Sequence, residues 1–250
     1  AINSDAVKDI QIYKDGFPAK YGGRTSSVIE ITGKRGSTKY KRLNLTTNLL
    51  TSGFTYEQPL FGRGSLFLAY RGSYSHYYKT YLHDHIYNFL SNEGGSENST
   101  AISISNSTYT PELSFSDLNG KITLISSKND VISFSYFSGK DEISRMYEFP
   151  ESSSINKIED GIKWNNIGAS INWSHVWNGM SYSSILLSSS KYKGQSFSKK
   201  VIAGDQDDPE NTFTSELEDN NQIEDITIQL NNTKILNSRH VLEFGFMYKR

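Results

Sequence analysis

Residues 16 to 33, GFPAKYGGRTSSVIEITG, combine the densest turn chemistry of the chain with the start of a strand pattern. Just upstream, residues 9 to 12 alternate between polar and apolar side chains, which predicts a short strand. This strand runs into Asp15-Gly16, a dipeptide that readily takes the positive φ of a tight turn. Residues 28 to 32 alternate again, with isoleucine at positions 29 and 31. The stretch therefore predicts two strands joined by a glycine-rich corner.

The corner between these strands contains residues that restrict or free the backbone. Proline restricts φ, whereas adjacent glycines allow backbone geometry that is closed to other residues. A glycine pair near a proline is also common in plain turns, so local physics leaves a purely structural turn equally open. The residues that we assign to the corner motif are Gly16, Phe17, Pro18, Tyr21, Gly22, Gly23 and Arg24.

Residues 17 to 32, FPAKYGGRTSSVIEIT, resemble the closing segment of the plug domain of TonB-dependent outer-membrane receptors, in the version found in Bacteroidota. The preceding Asp5-Ala6-Val7 and IQIYKDG belong to the same resemblance. It continues through residues 57 to 74, EQPLFGRGSLFLAYRGSY, which are similar to the first periplasmic turn of the family and the strand after it. Beyond about Tyr78 the match is to a pattern of strands and loops.

This resemblance implies an all-β fold, a transmembrane antiparallel β-barrel of about 22 strands filled by a plug. Residues 1 to 36 would be the C-terminal segment of the plug, and residues 37 to 250 the N-terminal part of the barrel, with about nine strands. The chain begins at Ala1 and stops at Arg250 within a strand pattern. We therefore expect a fragment that lacks a signal sequence, the segment that engages TonB and most of the plug.

The composition fits this expectation. Of the 250 residues 36% are hydrophobic and the mean hydropathy is -0.54, which is too polar for a membrane protein built from helices. A barrel can be this polar because its strands show lipid to only one face. The 16 Tyr, 13 Phe and 3 Trp suit membrane interfaces, where aromatic rings gather. A soluble β-sandwich with the same alternation is the alternative.

Charge and cysteine content exclude several classes. The chain has no cysteine, which excludes disulfide scaffolds and cysteine-based metal sites. With 26 basic and 27 acidic residues the formal net charge is -1, so no overall field favours nucleic acid. We find no catalytic motif of the serine hydrolase, zinc protease or P-loop type, and predict that the protein is not an enzyme.

Alternation with a period of two residues assigns faces within the predicted strands. Arg71 falls on the opposite side from Leu66 and Leu68, and a charged residue amid such apolar alternation must find water or a partner, so we place it inside a polar lumen. The residues that we expect to face lipid share one parity: Leu43, Leu45, Leu66, Leu68, Ile167, Ile171, Ile228, Phe244 and Phe246.

The connections between strands alternate between short and long, as in outer-membrane barrels. Short turns are predicted near Arg63, Asn129, Asn178 and Ser238, on the periplasmic side. Long polar loops are predicted at residues 77 to 111, 140 to 160 and 196 to 221, outside the cell, with a short helix over Lys79 to Leu90.

Candidate ligand-contacting residues lie in these loops. Aromatic side chains suited to stacking on sugars or other ligands are Tyr77, Tyr78, Tyr81, Tyr109 and Tyr147. His83 and His85 could ligate a transition metal, and Asp205 and Asp207 could ligate calcium, but solvated loop positions are the simpler interpretation of both pairs.

The resemblance implies a receptor that imports a scarce nutrient, such as a siderophore, vitamin, peptide or glycan, with energy delivered by the TonB complex. Its partners would be outer-membrane lipid, the TonB complex, the nutrient and a surface lipoprotein. A non-transporting outer-membrane barrel, serving adhesion, secretion or gliding, is the alternative from another class. A soluble binding module is the third.

We expect Arg24 to be a structural clamp of the plug. It follows Gly22-Gly23, where a chain without Cβ atoms can press against a neighbouring wall and deliver the next side chain into it. A guanidinium suits bidentate pairing with a carboxylate, and Glu57 and Glu243 are acidic barrel positions that could serve.

Overall fold

The computed structural model describes residues 3–14, 17–22, 26–74, 108–149, 155–202 and 213–250. Within these ranges the chain forms eleven strands and two 3-10 helices, Ser4–Ala6 and Ala19–Tyr21, and no α-helix. The fold is therefore all-β, as predicted. None of the helices in the described ranges has the length and apolar character needed to cross a membrane.

Strands β1 (Val7–Tyr13) and β2 (Val28–Gly33) form a separate antiparallel hairpin. Ile10 lies opposite Ile31, and Ile12 lies opposite Ile29. The second 3-10 helix lies in the connection between the two strands. The two predicted strands are confirmed, and we call them and the described part of their connection the hairpin.

The other nine strands form one antiparallel sheet in which every strand pairs with its neighbours in sequence. In the described part of the chain the first and last of these strands are the two edges of the sheet. The strands are β3 (Arg42–Thr47), β4 (Thr51–Leu60), β5 (Gly64–Ser73), β6 (Thr108–Ile125), β7 (Asp130–Glu148), β8 (Ile155–Asn178), β9 (Ser181–Ile202), β10 (Phe213–Asn237) and β11 (His240–Lys249).

The register separates the sheet into an apolar and a polar face, because directly paired residues of adjacent strands point to the same side. One row across eight strands reads Gln58, Leu66, Ile122, Phe134, Ile171, Leu187, Ile228 and Tyr248. The adjacent row, on the other side, reads Glu57, Phe67, Lys121, Ser135, Ser170, Ser188, Thr227 and Lys249. We call these sides the apolar face and the polar face.

The predicted face assignments are confirmed by this register. All nine residues expected to share one side lie on the apolar face, and many are open, with Leu45 76% and Ile171 48% exposed. Arg71 lies on the polar face, two residues along β5 from Ala69. Contiguous exposed apolar surface of this extent is unusual on a water-soluble protein.

The short turns lie where they were predicted, at residues 61–63, 126–129, 179–180 and 238–239. Two of the long loops were predicted wrongly. Strand β7 continues to Glu148 and β8 starts at Ile155, so most of residues 140 to 160 is strand, and β9 and β10 likewise cover most of residues 196 to 221. The first long loop also ends earlier than predicted, because β6 begins at Thr108.

These extensions escaped prediction because both of their faces carry polar side chains, so the hydrophobicity does not alternate. The backbone ladder continues regardless, and polar side chains bond across it. Glu142 Oε1 lies 2.8 Å from Lys163 Nζ, and Glu218 Oε1 accepts from Gln195 Nε2 at 2.5 Å. The helix predicted over Lys79 to Leu90 lies outside the described residues.

Candidate functional site

The hairpin lies against the polar face of the sheet and contacts it first through the 3-10 helix that precedes β1. Ala6 in this helix is 5% exposed and forms a small buried cluster with Phe67 and Ala69 of β5, which are 3% and 0% exposed. Asn3, which caps the helix by accepting the Asp5 N–H at 3.0 Å, is also buried. These contacts anchor the N-terminal end of the hairpin on β5.

The chain that leaves the hairpin is held by main-chain contacts. The Lys34 N–H donates to the Ala6 carbonyl at 2.8 Å. Gly36 passes so close to β5 that a Cβ atom there would overlap the Leu66 carbonyl oxygen. The Ser37 N–H then donates to Glu57 Oε2 at 2.8 Å. Glycine at position 36 therefore permits the close approach of the connection to the sheet.

At the other end of the hairpin, Lys20 pairs with Glu30. Lys20 Nζ lies 3.0 Å from both oxygens of the Glu30 carboxylate. Burial alone raises the pKa of Glu30, but the neighbouring Tyr21 and Lys20 outweigh it and hold this pKa below its ordinary 4.5. Burial lowers the pKa of Lys20, but the bond to Glu30 outweighs it, so this pKa lies above 10.5. The pair joins the second 3-10 helix to β2.

This corner of the hairpin is tied to β10 of the sheet. The Gln229 side-chain amide donates to the Lys20 carbonyl oxygen at 2.7 Å. Among the described residues, spaces of about 760 Å³ beside Lys20 and Glu243 and of about 560 Å³ beside Lys34 and Lys121 lie between hairpin and sheet. The hairpin thus lies over part of the polar face without filling the region in front of it.

A buried ion pair joins two strands on the same polar face. Arg71 Nε and Nη2 both donate to Asp117 Oδ2, at 3.0 and 2.7 Å, and the Asp117 side chain is 1% exposed. The Arg71 guanidinium also lies 5.1 Å from the centre of the Phe115 ring. The partner predicted for Arg71 is thus Asp117 of the neighbouring strand.

The structure corrects part of the interpretation of the corner motif. Gly22 has φ -57° and ψ 152°, a conformation open to any residue, and a Cβ there would meet nothing within 4 Å. The close approach was expected at the pair Gly22-Gly23, of which Gly23 lies outside the described residues; a close approach of this kind is present at Gly36. Pro18 precedes the second 3-10 helix with φ -53°, and the Tyr21 ring packs 5.6 Å from that of Tyr13. Phe17 is half-buried.

The remaining corner residues, Gly16, Gly23 and Arg24, lie outside the described residues, so the proposed clamp stays a prediction. The two carboxylates named for it do lie on the polar face. Glu57 accepts the Ser37 N–H and has Arg42 Nη1 at 3.9 Å, while Glu243 borders the larger space.

The predicted ligand-contacting aromatics fall into two groups. Tyr77, Tyr78 and Tyr81 lie outside the described residues. Tyr109 and Tyr147, which were expected in loops, are directly paired positions of β6 and β7. The loop assignment was wrong for these two because the strands extend beyond the alternating pattern.

The candidate metal ligands His83, His85, Asp205 and Asp207 also lie outside the described residues. Elsewhere, across the described ranges, no group of three or more His, Asp or Glu side chains is arranged to hold a metal ion.

A cluster that we did not predict lies beside the short turns on the apolar face. Asp130 Oδ1 lies 2.7 Å from His175 Nδ1 and accepts the Trp173 Nε1–H at 3.0 Å. The His175 ring is 4.3 Å from that of Trp177, whose Nε1–H donates to Ser183 at 2.9 Å. The alternating Trp-x-His-x-Trp of residues 173 to 177 was the available signal, but the carboxylate comes from another strand.

The arrangement therefore combines a sheet with one exposed apolar face and a small hairpin that lies against part of the opposite, polar face. No protein-family model, no curated protein and no solved structure matches this chain.

Proposed function

We propose that the chain is part of a TonB-dependent outer-membrane receptor of the Bacteroidota type. Residues 1 to 36 close the plug, and residues 37 to 250 supply nine strands of a barrel of about 22 strands. The observation that carries the proposal is the hairpin held against the polar face of a sheet whose other face is apolar and exposed. This is the relationship of a plug to the wall of its barrel.

The apolar face supports a lipid environment. Its central row contains Leu66, Ile171 and Ile228, and both isoleucines are more than 40% exposed. Lipid removes the unfavourable contact of such a surface with water, and the polar face then lines a lumen. The Trp173, His175 and Trp177 cluster at the end of this face has the composition of an interfacial aromatic girdle.

The two ends of the sheet differ, which supports an orientation. The turns at residues 61–63, 126–129, 179–180 and 238–239 lie at one end, and the extensions of β7 to β10 project from the other, where residues 48–50 also form a short turn. In outer-membrane barrels the short turns are periplasmic and the longer segments are extracellular. The edges β3 and β11 would pair with the remaining strands of the barrel, because spanning sheets must close.

In this proposal the protein binds a scarce nutrient outside the cell, a siderophore, vitamin, peptide or glycan, with or without a surface lipoprotein. The TonB complex then displaces the plug to open a path. Deletion of the gene should impair growth on one limiting nutrient, and deletion of TonB should reproduce the defect. Normal growth of the deletion strain on every iron, vitamin, peptide and glycan source would contradict the proposal.

A non-transporting surface barrel is the second candidate, and the length of the strands favours it. Strands β8, β9 and β10 contain 24, 22 and 25 residues. A spanning strand needs only about 9–11 residues. The extensions would form a rigid wall above the membrane, suited to adhesion or to a larger assembly. A deletion phenotype in adhesion, secretion or gliding that is independent of TonB would support this candidate.

A soluble sandwich has less support, because within the described ranges no second sheet covers the apolar face. Release of the full-length protein from cells into buffer without detergent would favour it over both membrane candidates.

A further inference from the structure

Strand β6 presents a row of polar side chains to the hairpin at every second position, Asp117, Asn119, Lys121 and Thr123. Three of these residues have a buried polar atom with no hydrogen-bond partner in the described part of the chain, namely Asp117 Oδ1, Asn119 Nδ2 and Thr123 Oγ1. Asn119 Nδ2 and Thr123 Oγ1 can donate, whereas Asp117 Oδ1 only accepts, and a buried polar atom of either kind is costly to leave unpaired.

Lys121 adds an uncompensated charge to this row. It is half-buried, and no carboxylate in the described ranges lies within ion-pair distance of its ammonium. Arg35 and Lys8 of the hairpin side lie close enough for their positive charges to act on Lys121. Burying a cation beside other cations is unfavourable unless an anion compensates it.

The nearby carboxylates do not provide this compensation, since each already has a cationic or main-chain partner. Asp117 is paired with Arg71, and Glu30 with Lys20. Glu57 accepts the Ser37 N–H and lies near Arg42.

Space for a ligand lies beside Lys121 in this row. Asn119 and Lys121 both border the space of about 560 Å³ between hairpin and sheet, together with Lys34 and the hydroxyl-bearing Ser135 and Ser170. This volume falls in the range of small-molecule sites, roughly 300–1,000 Å³. Ammonium, amide and hydroxyl groups can all donate, and they match the acceptor oxygens of an anion.

We propose that this space is an oxyanion site, in which the ammonium groups of Lys121 and Lys34 bind the carboxylate or phosphate group of a small solute. Hydrogen bonds between charged partners are stronger than neutral ones, and the surrounding positive charges favour an anion over a neutral ligand. The site requires only that the hairpin lies against β6. It does not depend on transport.

The test uses the full-length protein and two probes, inorganic phosphate followed by phosphorus NMR line broadening and acetate followed by saturation-transfer proton NMR. Chloride at equal ionic strength controls for screening. We expect at least one anion to bind. Lys121→Gln should weaken binding by about tenfold or more, and Lys34→Gln by roughly tenfold, as expected for hydrogen bonds to a charged group. Lys121→Arg should retain binding.

Lys200→Gln is the matched control. Lys200 also lies on the polar face, in β9. The residue of β9 that shares a row with Lys121 is Ser188, and Lys200 is twelve residues, or about 40 Å, further along the strand. Binding of phosphate alone would identify a phosphate site, and binding of acetate alone a carboxylate site. Absence of binding to the unchanged protein, or equal binding by the Lys121→Gln variant, would overturn the inference. If Lys121→Gln does not fold, loss of binding in Lys121→Arg or full binding in Lys34→Gln would do the same.

Discussion

The side-chain amide of Gln229 donates a 2.7 Å hydrogen bond to the carbonyl oxygen of Lys20, although 209 positions separate the two residues in the chain. This bond ties β10, one strand from the edge of the sheet, to the corner of the N-terminal hairpin. The first 3-10 helix meanwhile lies on β5. The hairpin therefore reaches across the polar face from β5 to β10.

Replacing Gln229 with leucine should loosen the corner of the hairpin. The Lys20 carbonyl loses its donor, at a cost of about 1 kcal/mol, which corresponds to roughly fivefold more of the open form. We expect tryptic cleavage after Lys20 to accelerate by a similar factor. Gln222→Leu is the control, since Gln222 lies on the same strand and bonds only to Glu224 among the described residues. Equal acceleration in both variants would show that the bond to Lys20 contributes nothing.

Breaking the Arg71–Asp117 pair should destabilise the sheet strongly. Arg71→Met leaves a buried carboxylate without its cation, at a cost of about 3–5 kcal/mol. The double variant Arg71→Met/Asp117→Leu should recover much of this loss, because no buried charge is left uncompensated. Urea unfolding of the three proteins measures the difference. If Asp117→Leu lowers the unfolding free energy of the Arg71→Met variant by roughly a further 3–5 kcal/mol, the two side chains do not stabilise each other and the prediction is wrong.

Gly36→Ala should displace the connection between hairpin and sheet. The added Cβ would overlap the Leu66 carbonyl, and backbone must move to relieve it, at a cost of about 1–3 kcal/mol. Gly22→Ala is the matched control. It meets nothing within 4 Å at an ordinary negative φ, so it should be neutral or stabilising by up to about 1 kcal/mol. Hydrogen exchange of β1 and β2 reports the docking of the hairpin in each case.

The Lys20–Glu30 pair predicts how the corner responds to pH. The pKa of Glu30 is lower in the folded protein than its ordinary 4.5. The stabilisation of the folded state by ionised Glu30 is therefore complete above pH 4.5 and is lost as the pH falls through the lowered value. The pKa of Lys20 is raised above 10.5, so its contribution is lost only as the pH rises through that higher value.

The size of this effect should be modest. Both side chains are about one-third exposed, so we expect less than about 1 kcal/mol. Exchange protection of β2, corrected for the intrinsic pH dependence, should decline below pH 4.5 in the unchanged protein and show no such decline in Glu30→Gln. A decline that persists in Glu30→Gln would assign the response to another carboxylate.

The proposed membrane environment predicts opposite effects for lysine at two adjacent positions of β10. Ile228 lies on the apolar face and Thr227 on the polar face. Ile228→Lys places a charge in lipid, at a cost of about 2–4 kcal/mol near the bilayer midplane, whereas Thr227→Lys faces the polar side. Folding into vesicles, followed by heat-modified gel mobility, should be impaired only for Ile228→Lys. Equal behaviour of the two variants would argue against lipid on the apolar face.

Face assignment could be predicted from the sequence alone. The two-residue period of a strand is a local property, so the shared side of Leu66, Ile171 and Phe246 followed from their parity once strands were assumed. For the same reason Arg71 could be placed on the polar side, and the hairpin could be located from its isoleucines and its glycine-rich corner. The short turns were also visible locally.

The ends of the long strands and the contacts of the hairpin were decided by the tertiary structure. Residues 140 to 148 and 213 to 221 are strand because neighbouring backbones pair with them, although their side chains carry no alternating pattern. The sequence singled out Gly22 and gave no signal at Gly36, yet of these two only Gly36 lies against another strand. Such approaches, like those of Lys20 to Gln229 and of Arg71 to Asp117, depend on where distant strands lie in the sheet. Local composition does not determine those positions, because hydrogen-bond pairing across the whole sheet sets them.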